Sequence, residues 1–133
     1  MRTALITLSS FGIIILATIG CSKSSNDHAG KGGSATLTVQ LQHHAVARNL
    51  IKGIVYIKYD ATDVPANGIY DDSATCTSLD TMQKAVFTNL KNGNYFLFAN
   101  GFDTSIYKPV KGGGAYTITQ QAPQTYTLAV SED

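Results

Sequence analysis

Tryptophan is absent from this 133-residue chain, and cysteine (two), histidine (three) and glutamate (one, Glu132) are scarce. Two cysteines cannot make a disulfide framework, and three histidines leave little material for a dense metal centre. With its single glutamate at the far end, the chain offers no obvious carboxylate pair for glycoside hydrolysis. Charge is sparse as well: 14% of positions are charged and the formal net charge is +1. A near-balanced chain has no broad basic surface for nucleic acid. The sequence contains no G-x-S-x-G elbow, P-loop or G-x-G-x-x-G turn, so the motif-borne chemistries are missing too. The length allows one compact domain plus a tail. The expectation is a protein without catalysis, cofactor or resident metal.

What is present begins with the one long apolar run. Met1-Arg2-Thr3 carries a positive charge, and Ala4 to Gly20 follows as 17 residues without another. A basic start, an apolar run and small residues before a junction form a secretory signal pattern. Seventeen residues also approach the lower limit for a membrane-spanning helix, so length alone does not separate a cleaved signal from an anchor helix. The segment Thr18-Ile19-Gly20-Cys21 resembles the lipobox of bacterial lipoproteins. That resemblance implies a signal peptide over 1–20, removed after Cys21 has been acylated on sulfur. It further implies a diacylglycerol and an amide-linked chain of the palmitate class on the same residue. Each buried lipid methylene contributes about 0.8 kcal/mol, so several chains hold firmly where one holds weakly. The resulting expectation is a protein attached to the membrane through Cys21 in a bacterial cell envelope, at the outer membrane or cell surface. Residues 21–33 are polar and rich in Gly and Ser, as a flexible tether would be.

From Ser34 to Asp133 the pattern is almost entirely period-two. Ala35 to Gln42 alternates apolar and polar without a break, which marks a strand with one buried face. Further strands are expected at 53–59, 85–88, 94–100, 105–110, 115–119 and 126–130, with no convincing helix between them. Pro109 suits an edge strand, and Gly112-Gly113-Gly114 reads as a permissive turn. These features predict an all-β, seven-stranded antiparallel sandwich over 34–133. The inward set by alternation is Leu37, Val39, Leu41, Val55, Ile57, Phe87, Leu90, Tyr95, Leu97, Ile118, Leu128 and Val130. If Cys21 is acylated, Cys76 has no partner in the chain and reads as a free or partly buried thiol.

The segment Asn89-Leu90-Lys91-Asn92-Gly93-Asn94-Tyr95-Phe96-Leu97-Phe98-Ala99 resembles the L-x-x-G-x-Y-x-h-x-A core of transthyretin-like sandwiches. Carboxypeptidase regulatory-like and Cna-B-like domains belong to that group. The resemblance implies that Leu90 and Tyr95 plug the core on either side of a turn at Gly93. It implies nothing about activity, because such folds host many roles.

Candidate binding residues come from parity. If Tyr95, Leu97 and Ala99 point inward, Phe96 and Phe98 point outward, and Tyr56 has the same outward parity on its own strand. Aromatics grouped on an exposed sheet face can mark an interaction surface, unless the tether or a loop covers them. The absence of Trp weighs against a dedicated sugar-stacking platform. Residues 60–84 form a long gap with few strand signals, and such gaps are often functional. Asp60, Asp63, Asp71, Asp72 and Asp80 gather around it without the spacing of an EF-hand, so they read as solvated charges or a loose calcium site. His43 and His44 read as surface or strand-end residues, because strand neighbours face opposite ways and could share a metal only from a loop. Asp72-Ser73-Ala74 and Asp80-Thr81-Met82 resemble a short bacterial O-glycosylation acceptor. The expected role is a lipid-anchored binding or structural module with a protein or glycan partner and no nucleic acid. Its alternative is an accessory glycan-binding lipoprotein that uses the 60–84 segment and the aromatic face Tyr56, Phe96 and Phe98.

Overall fold

The computed structural model describes residues 28–79 and 82–132. Residues 1–20, expected as a signal segment, Cys21 and the expected tether as far as residue 27 lie outside the described residues, as do Asp80 and Thr81. Among the described residues there are nine strands and no helix. They are β1 (Lys31–His43), β2 (Val46–Ala47), β3 (Ile51–Tyr59), β4 (Asp72–Thr75), β5 (Thr77–Leu79), β6 (Met82–Leu90), β7 (Gly93–Asp103), β8 (Lys108–Ile118) and β9 (Pro123–Val130).

Two sheets face each other. In the first, β1 is central: β6 and the short β2 pair along one edge and β9 along the other, with β5 outside β6. The second runs β4-β3-β7-β8. All ladders are antiparallel except β1–β9, which is parallel and joins the first strand to the last. An all-antiparallel sandwich was expected. Alternation reports which face a residue takes but not the direction of its neighbour, which is why the parallel ladder was not foreseen.

The strands differ from the expected seven in four further places, the first being the two-residue β2, which has no counterpart among them. The triple glycine does not turn the chain: it lies inside β8, opposite Leu97, Phe98 and Ala99, so two expected strands are one. Pro109 does lie on an edge, since β8 pairs only with β7 within its sheet. The 60–84 gap holds two short strands, β4 and β5, so its irregular part is mainly 60–71. Finally, β1 begins at Lys31, inside the segment read as tether. Ala29 packs on the core, its N–H donating to Asp60 Oδ1 at 2.6 Å, and the Gly30 N–H donates to the Tyr95 hydroxyl at 3.0 Å. Residues 29–33 therefore belong to the sandwich.

All twelve residues of the expected inward set are buried. Full burial of a Leu, Ile, Val or Phe side chain contributes roughly 1.5–3 kcal/mol, so this apolar layer dominates the fold's stability. Leu90 and Tyr95 flank the β6–β7 turn as the motif implied. Gly93 there has φ +143°, and a Cβ would stand 2.8 Å from the Ala29 Cβ, so both backbone and space demand glycine. The Tyr95 ring is fully buried, and its hydroxyl donates to the Lys91 carbonyl at 2.7 Å while accepting from Gly30. Tyr95→Phe removes a partner from buried backbone groups. It is expected to cost about 1–3 kcal/mol in urea unfolding; a loss below about 0.5 kcal/mol would contradict this role for the hydroxyl.

Candidate functional site

The outer face of the β4-β3-β7-β8 sheet carries the aromatic residues foreseen by parity. Register places Ser73 beside Tyr56, Tyr56 beside Phe98, and Phe98 beside Gly113, all on the side away from the core. Tyr56 and Phe98 are half-buried, with ring centroids 6.4 Å apart. Phe96 has the expected outward parity and stands outside the inner core cluster, yet it is only 6% exposed. Its ring lies over Gly113, where a Cβ would come within 2.7 Å of Phe96 Cζ. A missing side chain on the adjacent strand thus lets Phe96 lie against the sheet, and it is not available as a binding residue. Sequence parity cannot show which residue stands on the neighbouring strand.

Tyr70 takes the place that Phe96 does not. The 60–71 segment carries its ring over the sheet, 6.0 Å from Phe98 at an interplanar angle of 24° and 5.6 Å from Tyr56 at 43°. Burial raises the pKa of its hydroxyl. Tyr56, Tyr70 and Phe98 form one aromatic cluster, and offset ring contacts of this kind hold such a surface in shape.

The segment is fixed where it meets β3. The Asp71 N–H donates to the Ile57 carbonyl at 2.9 Å, while its carboxylate accepts from the Tyr59 N–H at 2.7 Å and from Lys58 Nζ at 2.9 Å. Burial pushes the Asp71 carboxyl up, but those two donors together hold it below its ordinary value. A turn closed by the Gly68 N–H to the Pro65 carbonyl at 2.8 Å shapes the tip, with Val64 and Ile69 well exposed. Between tip and sheet lies an open groove of about 400 Å³ lined by Tyr56, Gly68, Tyr70, Asp71, Asp72 and Ser73. The rings of Tyr56 and Tyr70 together with the polar residues Asp71, Asp72 and Ser73 make its lining amphipathic.

The acidic residues of this region do not gather. Asp60 pairs with His28 and the Ala29 N–H, Asp71 with Lys58, and Asp72 with Lys31 at 3.0 Å. Asp63 accepts from the Val64 N–H. Each carboxylate already has a cation or an amide, so they form no common calcium cage among the described residues.

Cys76 is buried and unpaired, and burial pushes its thiol up to about 11, which keeps it protonated and unreactive. A second cavity, about 360 Å³, opens between Ile51, Phe102, Pro109 and Val110 and is mainly apolar.

The chain matches no protein-family model and no curated protein. One solved structure is similar, that of a proposed carbohydrate-binding protein from Pseudomonas aeruginosa. The two share 16% identity and a TM-score of 0.42, over 76% of this chain and 91% of that one.

A different polar cluster closes one end of the core. Parity continues past Leu41 to His43 on β1, past Ala99 to Asp103 on β7, and past Val130 to Glu132 just beyond β9. His43 and Asp103 therefore face inward at the same end, and the half-exposed Glu132 side chain reaches them from just beyond β9. His43 is 1% exposed, its Nδ1 2.8 Å from Asp103 Oδ2 and its Nε2 2.6 Å from Glu132 Oε2. His43 is the strand-end residue that was expected, but it is not at the surface: extending the alternation by one step places this ring in the core. Hydrogen bonding to Asp103, then to Glu132, raises the His43 pKa against the opposing effect of burial. Bonds from the Ser105 hydroxyl and from His43 lower Asp103 to about 2. Glu132 is lowered to about 2 by its own backbone N–H and by His43.

Proposed function

We propose that this chain is a lipid-anchored, non-catalytic carbohydrate-binding module of the bacterial cell envelope, built on a transthyretin-like sandwich. The observation that carries the reading is the three-ring cluster Tyr56, Tyr70 and Phe98 beside a groove lined by Asp71, Asp72 and Ser73. A pyranose ring is itself amphipathic. Its C–H face lies against aromatic faces, and its hydroxyls donate to carboxylate and hydroxyl oxygens at the edge. Sites of this kind pair an apolar wall with a few placed polar groups. Asp71 and Asp72 are each paired with one lysine, Lys58 and Lys31, so the groove presents no excess of positive charge to phosphate and suits a neutral glycan better than a nucleic acid. Catalysis is disfavoured because a glycosidase needs one carboxyl raised to act as an acid, whereas Asp71 is lowered. The transthyretin-like assignment is supported by Leu90, Gly93 and Tyr95, which occupy the roles the motif implies.

The reading is tested by calorimetric titration of the full chain, purified in detergent, with a panel of neutral and acidic envelope glycans. Saturable binding of a neutral glycan is expected. No binding across the panel, together with self-association of the chain, would contradict it and favour a structural role. Anchoring is tested separately by fractionating cells that express wild type and Cys21→Ser. The substitution is expected to move the protein out of the membrane fraction. Undiminished membrane retention would replace the lipid anchor with an uncleaved helix.

A further inference from the structure

His43 ends β1, and the chain reverses through His44 and Ala45 to Val46, which pairs back with His43. Both turn residues have positive φ, +49° and +60°, which is the two-residue hairpin geometry usually given to Asn-Gly. Neither is glycine, so the turn carries backbone strain at both residues. Its consequence is that two neighbouring histidines, which would diverge on a strand, converge. Their ring centroids are 4.1 Å apart. His44 Nε2 lies 3.4 Å from Glu132 Oε2, the same oxygen that stands 2.6 Å from His43 Nε2. One ligand atom from each of the three residues falls within 4.8 Å of the others.

We propose that His43 Nε2, His44 Nε2 and a Glu132 carboxylate oxygen bind a divalent transition-metal ion of the zinc class. Two imidazole nitrogens and one carboxylate are a donor set suited to such an ion, and bond lengths near 2.0–2.2 Å set tetrahedral ligand atoms about 3.4 Å apart. Of the observed spacings, His44 to Glu132 at 3.4 Å matches that value, His43 to Glu132 at 2.6 Å is shorter, and all three ligand atoms lie within 4.8 Å of one another. The half-exposed Glu132 side chain, just beyond the last strand, needs to retreat from His43 by less than about an ångström to reach that spacing.

Asp103 is the positioning residue. Its carboxylate accepts from His43 Nδ1–H at 2.8 Å, which fixes the tautomer whose Nε2 lone pair points at the site. Carboxylates behind metal-bound histidines have this role in many proteins. Asp103 is itself held by the Ser105 N–H and hydroxyl at 2.8 and 2.6 Å, and Arg48 Nε stands 3.8 Å away. Asp103, behind the site, lies about 17 Å along β7 from Phe98, the distance of five extended residues, and faces inward where the aromatic cluster faces outward. It is therefore independent of the glycan groove.

The competing occupant of the space between His43 and Glu132 is a proton, and the experiment separates the two. The full chain, purified in detergent without a polyhistidine tag and stripped with chelator, is titrated with Zn²⁺ by calorimetry and by thermal unfolding. One equivalent is expected to bind and to raise Tm. Affinity is expected to fall at least tenfold in His44→Ala and in Glu132→Gln, exposed or half-exposed positions that leave the core intact. His28→Ala, which removes the histidine beside Asp60, is expected to leave binding unchanged. Absence of saturable binding would show that a proton alone bridges the cluster and overturn the proposal. Equal affinity in wild type and both variants, or loss in His28→Ala, would place the ion elsewhere and overturn it equally.

Discussion

Asp103→Ala is expected to lower the unfolding free energy of chelator-treated protein by about 3–5 kcal/mol, the range for removing one partner of a buried ion pair. Asp103 is 2% exposed and His43 1% exposed, so water cannot replace the lost carboxylate. Arg48, 3.8 Å away, loses the same anion. The effect follows from leaving a buried imidazolium with one carboxylate, Glu132 at 2.6 Å, in place of two, more than from the worth of the lost pair. His43→Gln combined with Asp103→Asn restores a neutral hydrogen bond across the sheets and is expected to recover part of the loss.

The sign of the pH dependence follows from the two shifts. His43 is raised, so its contribution is complete below an ordinary histidine value of about 6.5 and fades as pH rises through its folded value. Asp103 is lowered to about 2, so its contribution is complete above an ordinary aspartate value of about 3.9 and is lost as pH falls toward 2. The two windows overlap between about pH 4 and 6.5. There the difference between wild type and Asp103→Ala in urea unfolding is expected to be largest. A difference below about 1 kcal/mol across that window would show that the cluster is not a structural element of the core.

The second large effect concerns the aromatic face. Tyr70→Ala is expected to weaken glycan binding roughly tenfold, and Tyr70→Ala with Phe98→Ala roughly a hundredfold, if each ring contributes about 1–1.5 kcal/mol of stacking. Tyr70 sits outside the core, and its segment is held to β3 by Asp71, so the single variant is expected to keep its fold. Phe96→Leu serves as the contrast. Phe96 is covered over Gly113, so its loss is expected to lower Tm while leaving affinity within about twofold. Weaker binding in Phe96→Leu than in Tyr70→Ala would reverse the assignment of the face.

Much of this architecture is legible in period-two alternation because a half-buried strand writes its buried face into the sequence. Leu37, Val39 and Leu41 on β1 and Tyr95, Leu97 and Ala99 on β7 announce the core in this way. The same rule, extended one step past Leu41 and two past Ala99, places His43 and Asp103 inward. A polar residue at the end of an apolar series looks like the end of the series, and only a partner from the other sheet makes its burial possible. That partner is 60 positions away in the chain. Tyr70 was not legible, since alternation carries no information about an irregular segment folding back over a sheet. Nor was the burial of Phe96, which depends on Gly113 standing in the next strand. The glycines themselves were misleading. A run of three suggests a turn, yet here the absence of side chains lets β8 lie close against Phe96 on one face and β9 on the other.

The most direct test of the carbohydrate-binding account is an NMR titration of the aromatic side chains with the tightest-binding neutral glycan. The ring signals of Tyr56, Tyr70 and Phe98 are expected to shift together along one saturation curve, while those of Tyr107 and Tyr126 stay in place. Shifts confined to Phe102 and Tyr107 beside the apolar cavity, or no ring shifts with any glycan, would contradict it.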